Sequence, residues 1–351
     1  METAAESSGL YGGRCRTVHG PFPGADMPAA HLSGQVVVIG SANLDVTVTV
    51  STLPREGETV LGGALLLSNG GKGANQAIAA LRAGADVRFL TKLGRDPFGD
   101  RICRDLTAAG LPADGLLRHE SAPTGVALIV VDRQGRNQIA VAPGSNRLLL
   151  PVDVEQHEPF LAQGTVMLVQ LEIPIVTVER ALRFAKAHGM MTILNPAPAR
   201  PLSDDLLCHV DLLTPNETEA EALTGIAVSD LPSAVAAAKT LLTRGPHVVI
   251  VTRGSQGTLL CAASGMRHLP AFPVEAVDTT AAGDAFNGAL AMAMAGESPA
   301  DALHAGRFRL LEDAVRIANA AGALTTTRRG AQESLPAKAD IERLLAERPL
   351  S

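Results

Sequence analysis

Gln35-Val-Val-Val-Ile-Gly-Ser-Ala-Asn-Leu-Asp-Val-Thr-Val-Thr-Val50 holds two strand patterns a few residues apart. The first, over 36–39, is continuously apolar, as a strand covered on both faces must be. The second, Val46-Thr-Val-Thr-Val50, alternates apolar and polar residues, as a strand with one solvated face does. The continuous pattern recurs at 87–90, 166–171, 190–194, 211–213 and 248–251. Between these runs lie helix-length amphipathic segments at 74–84, 98–110, 175–188, 217–224, 232–243, 284–295 and within 299–324. Apolar runs alternating with helices predict an α/β fold: a doubly wound, mostly parallel sheet flanked by helices, with ligands beyond the carboxyl ends of its strands. The alternating pattern returns at 126–131 and 138–141, around the turn Arg133-Gln-Gly-Arg136. With residues 45–70, the stretch 122–142 therefore reads as a small β-sheet, either a flap projecting over the site or an added edge of the main sheet.

Composition narrows the partners. A net charge of −6 offers no basic face to a nucleic-acid backbone, and 3% aromatic residues with no Trp leave few rings for bases to stack on. No stretch reaches the ~20 apolar residues of a membrane span, so a cytoplasmic protein with no membrane partner is expected. Cys15, Cys103, Cys208 and Cys261 stand far apart, as buried thiols in a reducing compartment do. Residues 1–34 are rich in Gly, Ala, Ser and Pro without periodicity and read as a disordered extension, with Met27 as an alternative start, ahead of one domain at 35–351.

The residues suited to chemistry cluster where buried strands end. Asp278-Thr-Thr-Ala-Ala-Gly-Asp284 precedes the helix that begins Ala285-Phe-Asn-Gly. Small residues there let an anion approach the free N–H groups of a first helical turn, and Asp284 beside it is placed to take a proton from an attacking hydroxyl. A loop followed by an ordinary first-turn acid reads the same way. Ser68-Asn-Gly-Gly-Lys-Gly-Ala-Asn-Gln-Ala77 lacks the spacing of the common phosphate loop. Its glycines, among them Gly71, suit close approach to a polyhydroxy ligand, with Lys72 and Asn75 as donors, or a plain turn. Asn43 and Asp45 close the first strand with groups fit for sugar hydroxyls, and Gln170-Leu-Glu172 and Asn195-Pro-Ala-Pro-Ala-Arg200 close two more. In Thr214-Pro-Asn-Glu-Thr-Glu219, Asn216 and Glu219 share a helix face, where they either organise a hydrated Mg²⁺ or cap the helix. Thr252-Arg-Gly-Ser-Gln-Gly257 offers a glycine-bearing turn on which a nucleotide could rest. The histidines show no paired ligand spacing, no nucleophile elbow is present, and Gly40-Ser-Ala-Asn43 is not a dinucleotide-binding turn.

In this order, along 35–348, these motifs resemble the ribokinase, or PfkB-type, family of carbohydrate kinases. Gly70 to Gln76 is similar to that family's first signature and Asp278 to Asn287 to its second. Thr124-Gly-Val-Ala-Leu-Ile129, the motifs at 195 and 214, and Gly330-Ala-Gln332 resemble its ribose-specific branch. The resemblance implies ATP-dependent phosphorylation of D-ribose to D-ribose 5-phosphate. The alternatives it leaves are another small sugar or nucleoside, 2-deoxyribose first, and a sugar-binding regulator without catalysis.

By the same resemblance Asp284 is the base and the N–H groups of Ala281, Ala282, Gly283 and Asp284 form an anion hole. The sugar falls to Asn43, Asp45, Gly71, Lys72, Asn75 and Glu172, with Ala127 and Ile129 closing from the flap. The nucleotide falls to Asn216, Thr252, Gly254, Ser255, Gln256, Gly257 and Asn319, with Glu219 serving the Mg²⁺–phosphate network. A potassium ion is implied beside the anion hole, at Asp278, Thr280, Thr325, Arg328, Gly330 and Ser334, and a homodimer through the flap sheet. Relatives preferring 2-deoxyribose carry an apolar residue where Asn43 stands. Two stretches depart from the family pattern: the N-terminal extension, and 300–323, which is longer around His304-Ala-Gly-Arg-Phe-Arg-Leu-Leu311, as a loop near the adenine pocket or a longer helix.

Overall fold

The computed structural model describes residues 35–297 and 308–348. The expectations for 1–34 and for the first part of the longer stretch near 304 lie outside the described residues. Thirteen strands run in chain order as β1 (Gln35–Ile39), β2 (Asn43–Thr49), β3 (Leu65–Gly70), β4 (Asp86–Gly94), β5 (Leu116–His119), β6 (Gly125–Val131), β7 (Asn137–Ala142), β8 (Val166–Val169), β9 (Met191–Leu194), β10 (Leu212–Leu213), β11 (Val248–Thr252), β12 (Thr258–Ala262) and β13 (Gly265–Leu269). The α-helices are α1 (Lys72–Ala83), α2 (Pro97–Ala108), α3 (Pro151–Gln156), α4 (Glu158–Leu161), α5 (Ile175–Ala187), α6 (Asp204–Leu207), α7 (Glu217–Thr224), α8 (Leu231–Leu242), α9 (Ala282–Met294), α10 (Phe308–Thr326) and α11 (Lys338–Glu347).

Nine strands form the main sheet in the order β13-β12-β11-β10-β9-β8-β1-β4-β5. From β11 across to β5 all neighbours are parallel, and β12 and β13 add an antiparallel edge. The continuously apolar first strand sends alternate side chains into two cores. Val36 and Val38 pack with α1, α2, α9 and α10 on one face, whereas Val37 and Ile39 pack with α3, α5 and α8 on the other. Each such side chain, wholly buried, stabilises the fold by roughly 1.5–3 kcal/mol relative to exposure, which is why the run tolerates no polar interruption. Strand order reverses around β1, which pairs with β4 on one side and β8 on the other. The crevice beyond the carboxyl ends of these strands is where such sheets bind ligands.

The alternating segments form a separate four-stranded sheet, β3-β2-β6-β7, rather than an added edge of the main one. Its register sorts the side chains. Val46 lies opposite Leu67 and Leu128, and Val48 opposite Leu65, so one face is apolar. Near Leu44 and Val46 that face packs on the main core, but beyond them it is uncovered: Leu65, Leu67 and Leu128 are 63%, 39% and 54% exposed. The other face carries Asn43 opposite Gly125 and Asp45 opposite Ala127, and it turns toward the crevice. Cys261 is buried as expected, but Cys103, midway along α2, and Cys208, at the end of α6, are only partly so. No helix among the described residues is long and apolar enough to cross a membrane.

Candidate active site

The site is built at the N-terminus of α9. Ala281 is its N-cap residue and, with φ of 59°, the one non-glycine residue of positive φ among those described. Left-handed backbone at a residue with a Cβ costs ~1–2 kcal/mol. That strain is held by the turn in which the Ala282 N–H donates to the Thr279 carbonyl (3.3 Å) and the Ala285 N–H to the Ala281 carbonyl (2.8 Å). No side chain caps the helix, and the N–H groups of Gly283 and Asp284 find no acceptor within the protein. Two unpaired donors on a helix dipole make an anion site.

Asp284, in the first turn, is buried. Its Oδ2 accepts from Asn75 Nδ2 at 2.9 Å and its Oδ1 from Gln76 Nε2 at 3.0 Å. Burial raises its pKa above the usual carboxylate range, and Lys72 and the two amides only partly offset this. A carboxylate of raised pKa, still ionisable, is a stronger proton acceptor than an ordinary one. For Lys72, burial works against the charged form, but Asp284, Glu172 and Glu219 reverse the sign, and its pKa ends raised.

Glycine explains how α1 delivers Asn75 and Gln76. Gly71, with φ of 88°, enters α1 so close to the first strand's exit that a Cβ would lie 2.8 Å from the Ala42 Cα and the Asn43 nitrogen. Glu172 locks this joint, its Oε2 accepting from Ser41 Oγ at 2.5 Å and from the Lys72 N–H at 3.0 Å. At the other contact Gly288 of α9 lies against α1, where a Cβ would meet Ala79 Cβ at 2.5 Å and the Gln76 carbonyl at 2.6 Å. The two helices therefore touch backbone to backbone, and the α1 amides reach the aspartate.

Of the residues predicted for the sugar, Asn43, Asp45, Ala127 and Ile129 fall on one face of the small sheet by register. Asn43 Oδ1 accepts from Asn146 Nδ2 at 2.7 Å, which leaves the Asn43 amide nitrogen as a donor toward the crevice. Asp45 has its pKa pushed up to about 7 by burial, then by Glu172, Glu333 and Asp284.

On the opposite side Lys72, Asn216, Glu219, Thr252, Gly283 and Asp284 line one cavity of about 220 Å³. Asn216 and Glu219 cap α7: the Glu219 N–H donates to Asn216 Oδ1 at 2.8 Å and the Asn216 N–H to Glu219 Oε2 at 2.9 Å. The cap reading of this pair is thus realised, yet both side chains still face the cavity. Burial raises the Glu219 pKa against the Asn216 N–H and Lys72. Asn216 also bridges to Thr252, which brings the two predicted nucleotide segments side by side. Gly254, Ser255 and Gln256 form an exposed 3₁₀ turn ending at Gly257, outside the cavity wall. Asn319 of α10 also lies outside that wall; its Oδ1 accepts from Thr258 Oγ1 at 2.5 Å, next to Gly257, and its Nδ2 is buried without a partner.

The third predicted group is drawn together by Asp278. Its carboxylate accepts from the Thr280 N–H at 2.9 Å and the Gly330 N–H at 3.0 Å, and its own N–H donates to the Thr326 carbonyl at 3.1 Å. The segments that carry Thr325, Arg328 and Ser334 are thereby stapled to the turn below the anion site. Burial and these hydrogen bonds oppose each other at Asp278, and the bonds win, holding its pKa below the ordinary value.

Several site residues carried no assigned role in the sequence. Gln76, Gln170, Asn195 and Asn287 stood inside motifs that did signal function, whereas Asn146 and Glu333 reach the site only through long-range packing. Among the described residues no cluster of three or more His, Cys, Asp or Glu is arranged to hold a metal by itself.

The comparisons agree with this geometry. The chain is similar to the ribokinase of Haemophilus influenzae, 39% identical over 303 residues, which is 86% of this chain and 95% of that protein. It is also similar to a deoxyribokinase of Salmonella typhi, 40% identical over 257 residues, or 73% and 84% of the two chains. The structure of Arabidopsis thaliana ribokinase complexed with ribose and ATP superposes with a TM-score of 0.80 at 31% identity, over 90% of this chain and 99% of that one. The pfkB family carbohydrate kinase model matches residues 33–338, and with the buried aspartate at an uncapped helix start the chain belongs to the pfkB family of carbohydrate kinases.

Proposed function

We propose that this protein is an ATP-dependent kinase of D-ribose, yielding D-ribose 5-phosphate. The observation that carries this is Asp284, buried and doubly hydrogen-bonded, beside the unpaired N–H groups of Gly283 and Asp284. The primary hydroxyl of the sugar gives its proton to Asp284 as its oxygen bonds to the γ-phosphorus, and the bond from that phosphorus to the leaving ADP oxygen breaks. The N–H groups of Gly283 and Asp284 and the Lys72 ammonium hold the charge on the transferred group. Asn43, Asp45, Asn75 and Glu172 orient the sugar, and Ala127 and Ile129 cover it.

Ribose is favoured over 2-deoxyribose by Asn43. Asn146 occupies its oxygen, so it offers the ligand a donor, and a buried donor without its hydroxyl partner is costly.

Two ions fit the residues present. A lone carboxylate and an amide, Glu219 and Asn216, suit a Mg²⁺ that keeps most of its water and travels with the phosphates, supplying positive charge to them. The carbonyls of 278, 280, 325, 328, 330 and 334 would suit potassium, a reading supported by the hydrogen bonds from the Thr280 and Gly330 N–H groups to Asp278, and the ion would stiffen the loop that presents the anion-binding N–H groups. The uncovered apolar face at Leu65, Leu67 and Leu128 suits a second copy of the chain, giving a homodimer through the small sheet. A kinase of free ribose and ATP belongs in the cytoplasm.

An ATP-consumption assay over pentoses, hexoses and nucleosides, with potassium or with a bulky organic cation at equal ionic strength, tests the reading. Turnover should be highest with ribose and potassium. Turnover with no sugar of the panel would point to a binding-only regulator, and a preference for 2-deoxyribose would reassign Asn43.

A further inference from the structure

Behind Asp284 lies a chain of buried polar side chains that the reaction as described does not use. Gln76 Nε2 donates both to Asp284 Oδ1 and to Asn195 Oδ1, each at 3.0 Å. Asn195 Nδ2 donates to the Thr214 carbonyl at 3.3 Å, and Thr214 Oγ1 donates to Asn287 Oδ1 at 2.6 Å. Asn287 Nδ2 then donates to the Gly283 carbonyl at 2.8 Å, so the chain returns to the helical turn from which it started. Gln170, Asn195 and Thr214 stand directly beyond β8, β9 and β10, one polar side chain per strand, and the loop of bonds ties α9 to the carboxyl edge of the sheet. Gln76 and Gln170 are wholly buried, and Thr214 and Asn287 nearly so.

Gln76 is the branch point, and its direction is fixed. A carboxylate can only accept, so Gln76 must turn its nitrogen to Asp284. Its oxygen then needs a donor, and Gln170 Nε2 supplies one at 2.7 Å. Gln170 packs its own oxygen, buried without a hydrogen-bond partner, against Gly40, where a Cβ would lie 2.0 Å from it. Three hydrogen bonds, to Asp284 and Asn195 and from Gln170, thus determine which end of the Gln76 amide meets the base. Asn75 differs: its nitrogen also serves Asp284, but its oxygen is buried without a partner and remains for the ligand.

We infer that Gln76, oriented by Gln170 and Asn195, is a positioning residue that fixes the rotamer of Asp284 and keeps one carboxylate oxygen turned away from the phosphoryl group and the other toward the acceptor hydroxyl. The inference rests on the proposed role of Asp284 as base. Gln76 does not itself line the cavity and reaches it only through Asp284 and Asn195, so its effect falls on the chemical step more than on binding. A base free to rotate loses near-attack geometry, and misplacement of that order lowers rate by about 10–100-fold. The charged groups that face Asp284 are Lys72 from α1, Glu172 beyond β8, Glu219 from α7 and Asp45 from β2. None of them is altered by a neutral replacement at 76.

The experiment is steady-state kinetics of Gln76→Met, close in size and without either amide end, beside Asp284→Asn and the parent. Expected are a kcat lower by about 10–100-fold with ribose and ATP KM values near those of the parent. The acid limb of the kcat–pH profile should also move to higher pH, since the ionised base has lost a donor. If Gln76→Met does not fold, Gln170→Met carries the test on the same readouts, because it leaves Gln76 in place and removes the contact that orients it. A parental kcat and an unmoved acid limb, with Asp284→Asn inactive, would overturn the positioning role alone. Parental activity in Asp284→Asn as well would overturn the kinase reading on which it rests.

Discussion

Asp45 shows how burial turns a residue proposed to bind the sugar into a titrating one. Its carboxyl is pushed up to about 7 from an ordinary value of 3.8, chiefly by burial and then by Glu172, Glu333 and Asp284. Between those two values the folded protein holds a proton that the unfolded chain has released. The resulting stabilisation is full below the unfolded pKa and is lost as pH rises through the folded one, from about 4 to about 7. The ligand-free protein should therefore melt lower at pH 8 than at pH 5. Asp45→Asn, which has no charge to bury, should flatten that slope and melt a few degrees above the parent at pH 8. Scanning calorimetry at several pH values checks this, and parallel slopes for the two proteins would show that Asp45 is not the group responsible. Asn43 and Asp45 were readable in the sequence because they follow the first buried strand, although they do not close it: the structure places both in β2 of the small sheet. The partner that orients Asn43, Asn146, was not, since nothing local marks a residue whose role is to meet another 103 positions away.

At the scale of elements, the placement of Asp284 depends on how closely α1 and α9 approach. Gly288 allows it: a methyl there would press on Ala79 Cβ, the Gln76 carbonyl and the Ala80 nitrogen, at 2.5, 2.6 and 2.7 Å. Two of these are backbone atoms that cannot swing aside. Gly288→Ala should cost about 1–3 kcal/mol by overpacking, more than the ~1 kcal/mol that Ala gains over Gly in a helix. Because the helices part at the level of Gln76, turnover should fall as well. Chemical denaturation with activity assays reads both, and a more stable, fully active variant would mean that the helices have slack. The strands of the main sheet were legible where they are long and apolar, as at 36–39 and 248–251. β5 and β13 were not assigned, because they are short and partly exposed, without the pattern of the central strands; β12 was not assigned either, although it is buried from Thr258 to Cys261. The small sheet was legible as alternation, but β2 is half-buried on both faces along Asp45–Val48 instead of alternating in exposure. Its apolar face is covered at Leu44 and Val46 and open at Leu65, Leu67 and Leu128, and its polar face is turned to the crevice.

For the whole molecule, the sheet's parallel strands end at one edge, and three consecutive ones deliver Gln170, Asn195 and Thr214 beneath the start of α9. The motifs at 68–77 and 278–287 marked this site in the sequence; that they meet through Asn75 and Gln76 on one side and Asp284 on the other is a fact of topology, 208 and 209 positions apart. The turn at 254–257, proposed for the nucleotide, and Asn319 stand outside the cavity wall, next to each other through Thr258. All of this converges on one carboxylate. Asp284→Asn keeps the shape and removes the base, so turnover of ribose should drop by about 10²–10⁴. Isothermal calorimetry on the folded variant should meanwhile find ATP and ribose bound with affinities close to the parental ones. A folded Asp284→Asn protein that phosphorylates ribose at the parental rate would contradict the account, as would one that has lost both ligands, since Asp284 would then be holding the site together rather than taking the proton.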